Sequence, residues 1–133
     1  MKIHHIGYAV NIIEEAGAHF INLGYQISTQ QFVDNKRNVI IQFFNNGHST
    51  VELIAPLNEL SPINNILRKI GNSPYHICYE TSNIEQTIAL LKSNNYILIE
   101  PPSEAVALEN HLVAFMFHKF VGLIELLEIR SAN

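Results

Sequence analysis

Four side chains of types that commonly bind metal ions recur at matching places in the two halves of this 133-residue chain. His5 is matched by His76 at a shift of 71 residues, and Glu52 by Glu125 at a shift of 73. A single histidine in a strand is more often a hydrogen-bonded core residue, and a single inward glutamate is more often part of an ion pair. Two symmetric pairs favour a shared site, and two imidazoles with two carboxylates suit one divalent ion of Ni, Co, Zn, Mn or Fe.

The repetition extends into the sequence around the histidines. Each copy begins with a β-rich run, residues 5–10 and 76–81, and continues with apolar residues at helical spacing. Internal repetition of this kind indicates that one structural module occurs twice. The shift of 71 aligns, without a gap, identical residues at His5 and His76, Ile6 and Ile77, Tyr8 and Tyr79, Ile13 and Ile84, Glu14 and Glu85, Ala18 and Ala89, and Tyr25 and Tyr96.

The boundaries of the two helices are predicted by similar signals. Asn11 and Ser82 each precede a glutamate by three positions, which is the pattern of a capping box at a helix start. Gly24 and Asn95, equivalent at the shift of 71, are of the residue types that most readily adopt the left-handed conformation after a helix. We therefore expect one helix in each copy, followed by a strand.

Two hairpins complete the copies, with strands expected at 38–44 and 48–55 and at 111–117 and 121–129. Ser61, Pro62 and Gly71 predict an extra helix between the copies. The expected fold is a single α+β domain of two βαβββ modules forming a curved eight-stranded mixed sheet around a metal-binding cavity. The predicted divisions are module one at 1–57, a linker helix at 58–72 and module two at 73–133.

Strand alternation predicts where the four polar side chains point. His5 would face away from Ile6 and Tyr8, which are expected to pack under the helix, and Glu52 would face away from Val51 and Leu53. The same alternation holds around His76 and Glu125. A glutamate between aliphatic neighbours in a strand is costly to bury unless a cation or a donor pairs with it. All four groups are therefore expected to face one cavity.

Composition excludes several other functions. The net charge is −4 and the eight Lys and Arg residues are not clustered, so nucleic acid is not an expected partner. No apolar run reaches the length of a membrane span or a signal peptide, so we expect no membrane association. Cys78 is the single cysteine, which rules out an internal disulfide and favours the cytoplasm.

Six segments carry a resemblance to a known family, and they are residues 4–10, 51–57, 61–63, 75–80, 113–116 and 123–128. In their order and spacing they resemble the vicinal-oxygen-chelate superfamily, which includes glyoxalase I, methylmalonyl-CoA epimerase, extradiol dioxygenases and bleomycin-resistance proteins. The likeness is greatest to the epimerase. It implies a metal bound by His5, Glu52, His76 and Glu125, a small-molecule substrate with adjacent oxygens, and a homodimer.

The resemblance also implies the chemistry. Glu125 would be a metal ligand and the general base that removes a proton next to a carbonyl, and Glu52 a candidate second acid or base. Two departures leave the substrate open. Residues 39–44 lack a carboxylate that some epimerases have there, and residues 117–122 replace their His-Pro-Lys stretch.

Three function classes follow from these residues. The first is a metal-dependent enzyme that stabilises an enolate, either an epimerase or a glyoxalase I type lactoylglutathione lyase. The second is a non-catalytic small-molecule binding or resistance protein, which the retained ligand residues disfavour. The third is an Fe(II) dioxygenase, against which a fourth ligand at Glu52 argues. Among minor candidates, His4 is expected to turn away from His5, His118 is a candidate for contact with substrate, and Cys78 is expected to fill the cavity wall.

Overall fold

A computed structural model describes residues 1–130 of the chain. The chain divides into two compact units. We call residues 5–75 the N-terminal unit, and residues 1–4 together with residues from 76 onwards the C-terminal unit.

The N-terminal unit combines a small sheet with two helices. Its strand order is β2-β4-β5-β1, with β3 also beside β4. Strands β1 and β5 run parallel, and β4 pairs antiparallel with β5. The elements are β1 (Ile3–Ala9, which begins in the C-terminal unit), α1 (Ile13–Ile21), β2 (Gln26–Ile27), β3 (Phe32–Asp34), β4 (Val39–Asn45), β5 (Thr50–Pro56) and α2 (Ile63–Ile70).

The C-terminal unit repeats the arrangement with one helix. Its strand order is β6-β9-β8-β7, and β6 and β9 are the parallel pair. The first residues of the chain run beside β6, where the backbone N–H of Glu80 donates to the carbonyl of Lys2 at 2.8 Å. The elements are β6 (Ser73–Thr81, whose start precedes the unit), α3 (Ile84–Ser93), β7 (Ile97–Ala105), a 3₁₀ turn (Val106–Leu108), β8 (His111–His118) and β9 (Gly122–Glu128).

The α+β class and the βαβββ order of the second copy are confirmed, and the first copy differs in one detail. The segment after α1 is not one strand but two short ones, β2 and β3, which pair with opposite ends of β4. Residues 1–130 therefore contain nine strands rather than the eight expected.

The predicted helix starts are wrong in detail. Ile12, not Asn11, occupies the cap position of α1, and no side chain caps this helix. In α3 the cap is Asn83, whose side-chain oxygen accepts from the backbone N–H of Gln86 at 3.1 Å, one residue later than the predicted Ser82. Before α3 the adjacent Ser82 and Asn83 are both good capping residues, so the local pattern did not select between them.

The predicted helix ends are confirmed. Gly24 has φ of 89° and Asn95 has φ of 71°, so both adopt the left-handed conformation after their helices. A helix between the copies is also confirmed, but it spans Ile63–Ile70 rather than the predicted 58–72, and its cap position is Pro62. Ser61 Oγ accepts from the backbone N–H of Ile63 at 3.4 Å, and Gly71 follows the helix with φ of 84°.

Each unit has its own hydrophobic core between helix and sheet. In the N-terminal unit Val51 and Leu53 pack with Ile13 of α1, and in the C-terminal unit Ile124 and Leu126 pack with Ile84 of α3. The apolar stripe of each helix therefore covers the face of the sheet that carries these aliphatic residues.

The two cores are filled by different combinations of side-chain size at equivalent positions. In the N-terminal unit a small residue on α1, Gly17, lies against a large one on β4, Phe44. At the equivalent positions the C-terminal unit has Ile88 on α3 and Met116 on β8, both buried in one cluster. A Cβ added at Gly17 would lie 2.8 Å from Phe44 Cζ, so the glycine is required by the ring.

We expect Gly17→Ala to lower the free energy of unfolding by about 1 kcal/mol, because overpacking outweighs the better helix propensity of alanine. The measurement is equilibrium urea unfolding. If the ring is the cause, combining Gly17→Ala with Phe44→Met should cost less than the sum of the two single substitutions. Additive losses would show that the space above the ring does not limit this position.

Candidate functional site

The N-terminal unit holds a buried pair formed by His5 on β1 and Glu52 on β5. The two strands are parallel neighbours in which Gly7 lies opposite Glu52. His5 precedes Gly7 by two residues on β1, and because alternate residues share a face, the two lie on the same face of the sheet. Its Nε2 lies 3.2 Å from Glu52 Oε1, and the two residues are only 1% and 4% exposed.

The C-terminal unit holds a second pair of the same construction. Strands β6 and β9 are parallel, and Cys78 lies opposite Glu125, two residues after His76. The Nε2 of His76 lies 3.2 Å from Glu125 Oε1, and the two residues are 3% and 4% exposed. The structure thus brings each predicted histidine together with the predicted glutamate of its own copy.

One aromatic ring supports each histidine. Phe43 lies opposite Glu52 in the β4–β5 pairing, and its ring meets that of His5 edge-on at 5.3 Å. Phe115 lies opposite Glu125 in the β8–β9 pairing, and its ring meets that of His76 edge-on, also at 5.3 Å. These contacts limit rotation of the imidazoles and so help to hold each Nε2 towards its carboxylate.

The sequence predicted Phe43 and Phe115 only as wall or core residues. Their matching roles depend on which residues face each other across the hairpins, and this pairing register is not contained in either strand alone. The available signal was that the two phenylalanines occupy equivalent positions in the two hairpins.

The predicted alternation is confirmed within each unit. Val51 and Leu53 lie in the core under α1, and Glu52 between them points to the other face. Ile124 and Leu126 lie in the core under α3, with Glu125 between them. The carboxylates are therefore turned away from the helices.

The donor atoms fit a divalent cation. Each pair presents one imidazole nitrogen and one carboxylate oxygen, both buried, and these are ligand types that borderline divalent metals accept. A buried carboxylate loses its hydration, so a cation beside it would offset a large part of that cost. The chemistry of each pair is thus compatible with metal binding.

Two of the minor candidates, Cys78 and His118, have well-defined positions in the structure. Cys78 is fully buried in an apolar cluster with Ala105, Val113 and Leu127, as expected for a small filler of the wall. His118 belongs to the turn between β8 and β9, where its Nδ1 accepts from the backbone N–H of Phe120 at 3.1 Å. Neither residue belongs to the two pairs. Within residues 1–130 no helix has the length and apolar character needed to cross a membrane.

Comparison with known proteins gives matches over nearly the whole chain. Human mitochondrial methylmalonyl-CoA epimerase is 34% identical over 131 residues, which cover 94% of this chain and 72% of the human protein. A hypothetical protein from Bacillus halodurans has a crystal structure with a TM-score of 0.86 and 28% identity, covering 99% of this chain and 96% of that one. Methylmalonyl-CoA epimerase from Mycobacterium tuberculosis shares the fold, with a TM-score of 0.83, 23% identity and coverage of 98% and 88%.

The family assignment rests on a profile match as well as on these relatives. Residues 4–115 match the profile described as Glyoxalase/Bleomycin resistance protein/Dioxygenase superfamily. The matched range contains three of the four paired residues, His5, Glu52 and His76, and the full-length relatives extend the similarity further along the chain. The chain therefore belongs to the glyoxalase/bleomycin resistance protein/dioxygenase superfamily.

Proposed function

We propose that His5, Glu52, His76 and Glu125 together bind one divalent metal ion, and that the protein is an isomerase that epimerises an acyl-CoA thioester such as methylmalonyl-CoA. The observation that carries the proposal is the recurrence of one buried His–Glu pair, with the same 3.2 Å separation, in both units. The epimerase relatives support an enzyme of the isomerase class.

The two pairs would supply two nitrogens and two oxygens as ligands. Four protein ligands would leave room on the ion for two adjacent oxygens of a substrate, as the family resemblance implies. When bound, such an ion acts as a Lewis acid that lowers the energy of an enolate. We assign the removal and the return of the proton to side chains of this chain.

In this proposal Glu125 removes the proton next to the carbonyl. His76 Nε2 lies 3.2 Å from Glu125 Oε1, so the two atoms would bind the same ion, and this shared coordination would hold the carboxylate in place beside the substrate. Phe115 packs against the imidazole and restricts it in turn. The buried setting keeps competing water from the carboxylate.

Epimerisation also needs a group that returns a proton to the other face of the carbon. Three carboxylates are buried among residues 1–130, namely Asp34, Glu52 and Glu125. Asp34 accepts from the backbone N–H and the Nη1 of Arg37, both at 3.0 Å, and so belongs to a turn. Strand β4 carries no carboxylate. Glu52 is therefore the residue that we assign as the second acid or base.

The lyase alternative uses the same enolate chemistry, and the same four residues would serve it. The human relative named above is an epimerase and does not support the lyase. Metal identity, a homodimer and a cytoplasmic location stay predictions.

We expect the purified protein to bind about one divalent ion per chain, measured by metal analysis after reconstitution. Because each histidine would contribute one of four ligands, His5→Ala and His76→Ala should each lose most of the metal. His48→Ala, an exposed histidine in a turn, is the matched control and should retain it. No metal in the reconstituted parent protein would contradict the proposed site.

Deuterium incorporation from solvent tests the reaction. The parent should exchange the hydrogen next to the carbonyl of methylmalonyl-CoA, and Glu125→Gln should slow this exchange by on the order of 10²- to 10⁴-fold, the usual contribution of a general base. Exposed Glu59→Gln is the control. If the methylglyoxal–glutathione adduct exchanges and methylmalonyl-CoA does not, the lyase assignment replaces the epimerase.

Single epimers of the substrate separate the two glutamates. If Glu52 is the second base, Glu52→Gln should keep exchange for one epimer and lose it for the other, and it should retain the metal because the amide oxygen of glutamine can still serve as a ligand. Equal loss for both epimers together with loss of metal would show that Glu52 acts only as a ligand.

The buried pairs also predict a cost in stability. In the presence of a chelator, Glu52→Leu alone should lower the free energy of unfolding by about 3 kcal/mol, since His5 loses its partner. The double substitution His5→Leu with Glu52→Leu should match or exceed the parent protein. Denaturant unfolding measures both, and a double variant as unstable as the single one would show that the pair contributes mainly to stability.

A further inference from the structure

The β4–β5 turn, residues 46–49, contains the one Asn-Gly dipeptide of the sequence, Asn46-Gly47. In such a dipeptide the backbone nitrogen of the glycine can attack the side-chain amide carbon of the asparagine, because glycine has no side chain to hinder the approach. The asparagine is then converted to aspartate or isoaspartate without an enzyme. Asn46 is half-buried and Gly47 is exposed, so water reaches the dipeptide. The turn is therefore a candidate site of spontaneous covalent modification.

The side-chain oxygen of Asn46 is held by three donors in the folded turn. Asn46 Oδ1 accepts from the backbone N–H of His48 at 2.9 Å and from that of Ser49 at 2.8 Å. Ser49 Oγ donates to the same oxygen at 3.4 Å. To bond with the Gly47 nitrogen, the amide carbon of Asn46 must move towards it, and this movement draws Oδ1 away from its donors. The folded turn therefore opposes the reaction at the carbon that is attacked.

The attacking nitrogen is held as well. The backbone N–H of Gly47 donates to Asn45 Oδ1 at 2.6 Å. The nitrogen can attack only after it has lost this proton, and the proton is the one that makes the hydrogen bond. Asn45 is anchored in turn, since its Nδ2 donates to Thr50 Oγ1 at 2.7 Å and the two residues pair across the hairpin. Asn45 therefore keeps the Gly47 nitrogen in its unreactive form.

The shape of the turn explains why a labile dipeptide stands here. Gly47 has φ of 88°, a conformation that residues with a side chain rarely adopt. The backbone N–H of Asn46 donates to the carbonyl of Ser49 at 3.2 Å, and Ser49 Oγ lies 2.8 Å from Tyr25 Oη. The turn thus requires glycine at the position that makes the preceding asparagine reactive, and hydrogen bonds to that asparagine and to the glycine offset the hazard.

We propose that Asn46 is a latent deamidation site, which reacts only when the β4–β5 turn opens and which Asn45 protects in the folded protein. In the open turn the Gly47 nitrogen loses its proton and forms a bond with Asn46 Cγ, and the Cγ–Nδ2 bond breaks. The Nδ2 group takes up that proton and leaves as ammonia, so a cyclic succinimide remains. Water then opens the ring at either carbonyl, which gives aspartate or isoaspartate at position 46.

The two products differ in their effect on the hairpin. Aspartate at position 46 keeps the backbone and still offers an oxygen to the N–H groups of His48 and Ser49. Isoaspartate routes the backbone through the side chain, so an extra carbon lies between Asn45 and Thr50, the pair that closes the turn. A chain that forms isoaspartate therefore returns less readily to the native hairpin.

Dependence on opening is tested by comparing the folded protein with the same chain unfolded in guanidinium, at one pH and temperature. Mass spectrometry of peptides that contain Asn46 follows the exchange of the amide for a carboxyl group. The folded protein should react at least about 10-fold more slowly, because at least two hydrogen bonds must break before ring closure. Equal rates in the two states would overturn the proposal.

Protection by Asn45 is tested with two substitutions at that position. Asn45→Ala should accelerate deamidation of the folded protein by about 2- to 10-fold for each hydrogen bond lost and leave the rate of the unfolded chain nearly unchanged. Asn45→Asp retains an oxygen that accepts from Gly47 and should react no faster than the parent. Asn65→Ala, which removes an exposed asparagine on α2, is the matched control. If Asn45→Ala reacts like this control, or Asn45→Asp as fast as Asn45→Ala, Asn45 does not protect the site.

Ser49→Ala is a milder second variant, since it removes only the Oγ contacts with Asn46 and Tyr25. It should accelerate the reaction by a smaller factor than Asn45→Ala. Urea unfolding of each variant shows whether a faster reaction reflects opening of the turn or a larger unfolded fraction of the whole chain. Acceleration that is accounted for by the unfolded fraction alone would contradict local opening of the turn.

The products test the chemical route. Ring opening of a succinimide gives both aspartate and isoaspartate, whereas direct hydrolysis of the side-chain amide gives aspartate alone. Fragmentation spectra that separate the two isomers should therefore show both at position 46. Aspartate alone would overturn attack by the Gly47 nitrogen.

Discussion

The pairing of two parallel strands is the constraint on which both candidate pairs depend. In each unit a strand that carries histidine lies beside a strand that carries glutamate, and the register places the glutamate opposite the second residue after the histidine. A slip of one residue would turn the glutamate into the helix-covered core and expose an aliphatic residue instead. The aliphatic side chains packed under α1 and α3 therefore fix the strand register, and this register positions the histidine and glutamate side chains.

Much of this arrangement could be predicted from sequence because it follows from local chemistry or from repetition. Gly24 and Asn95 end their helices as expected because few residue types tolerate positive φ. The facing of Glu52 and Glu125 away from the helices followed from strand alternation once the copies were aligned. The repeat itself supplied the long-range information that a single module would lack.

Other features were not predictable because they depend on contacts between distant segments. The cap of α3 moved from Ser82 to Asn83 because two adjacent residues could both fill the role. The segment after α1 forms two short strands, each of which pairs with a different end of β4. The support that Phe43 and Phe115 give to the histidines depends on the register of hairpins that sequence patterns specify only approximately.

The opposite filling of the two cores has a consequence for how the halves can change. Gly17 and Phe44 complement each other in one half, and Ile88 and Met116 in the other, so a fragment of one helix transplanted into the other half would leave either a clash or a void. Each core is filled by its own combination of side chains, so a change in either core can be compensated only by a neighbour in the same half. The histidines and glutamates correspond in the two halves although the cores beneath them are filled differently.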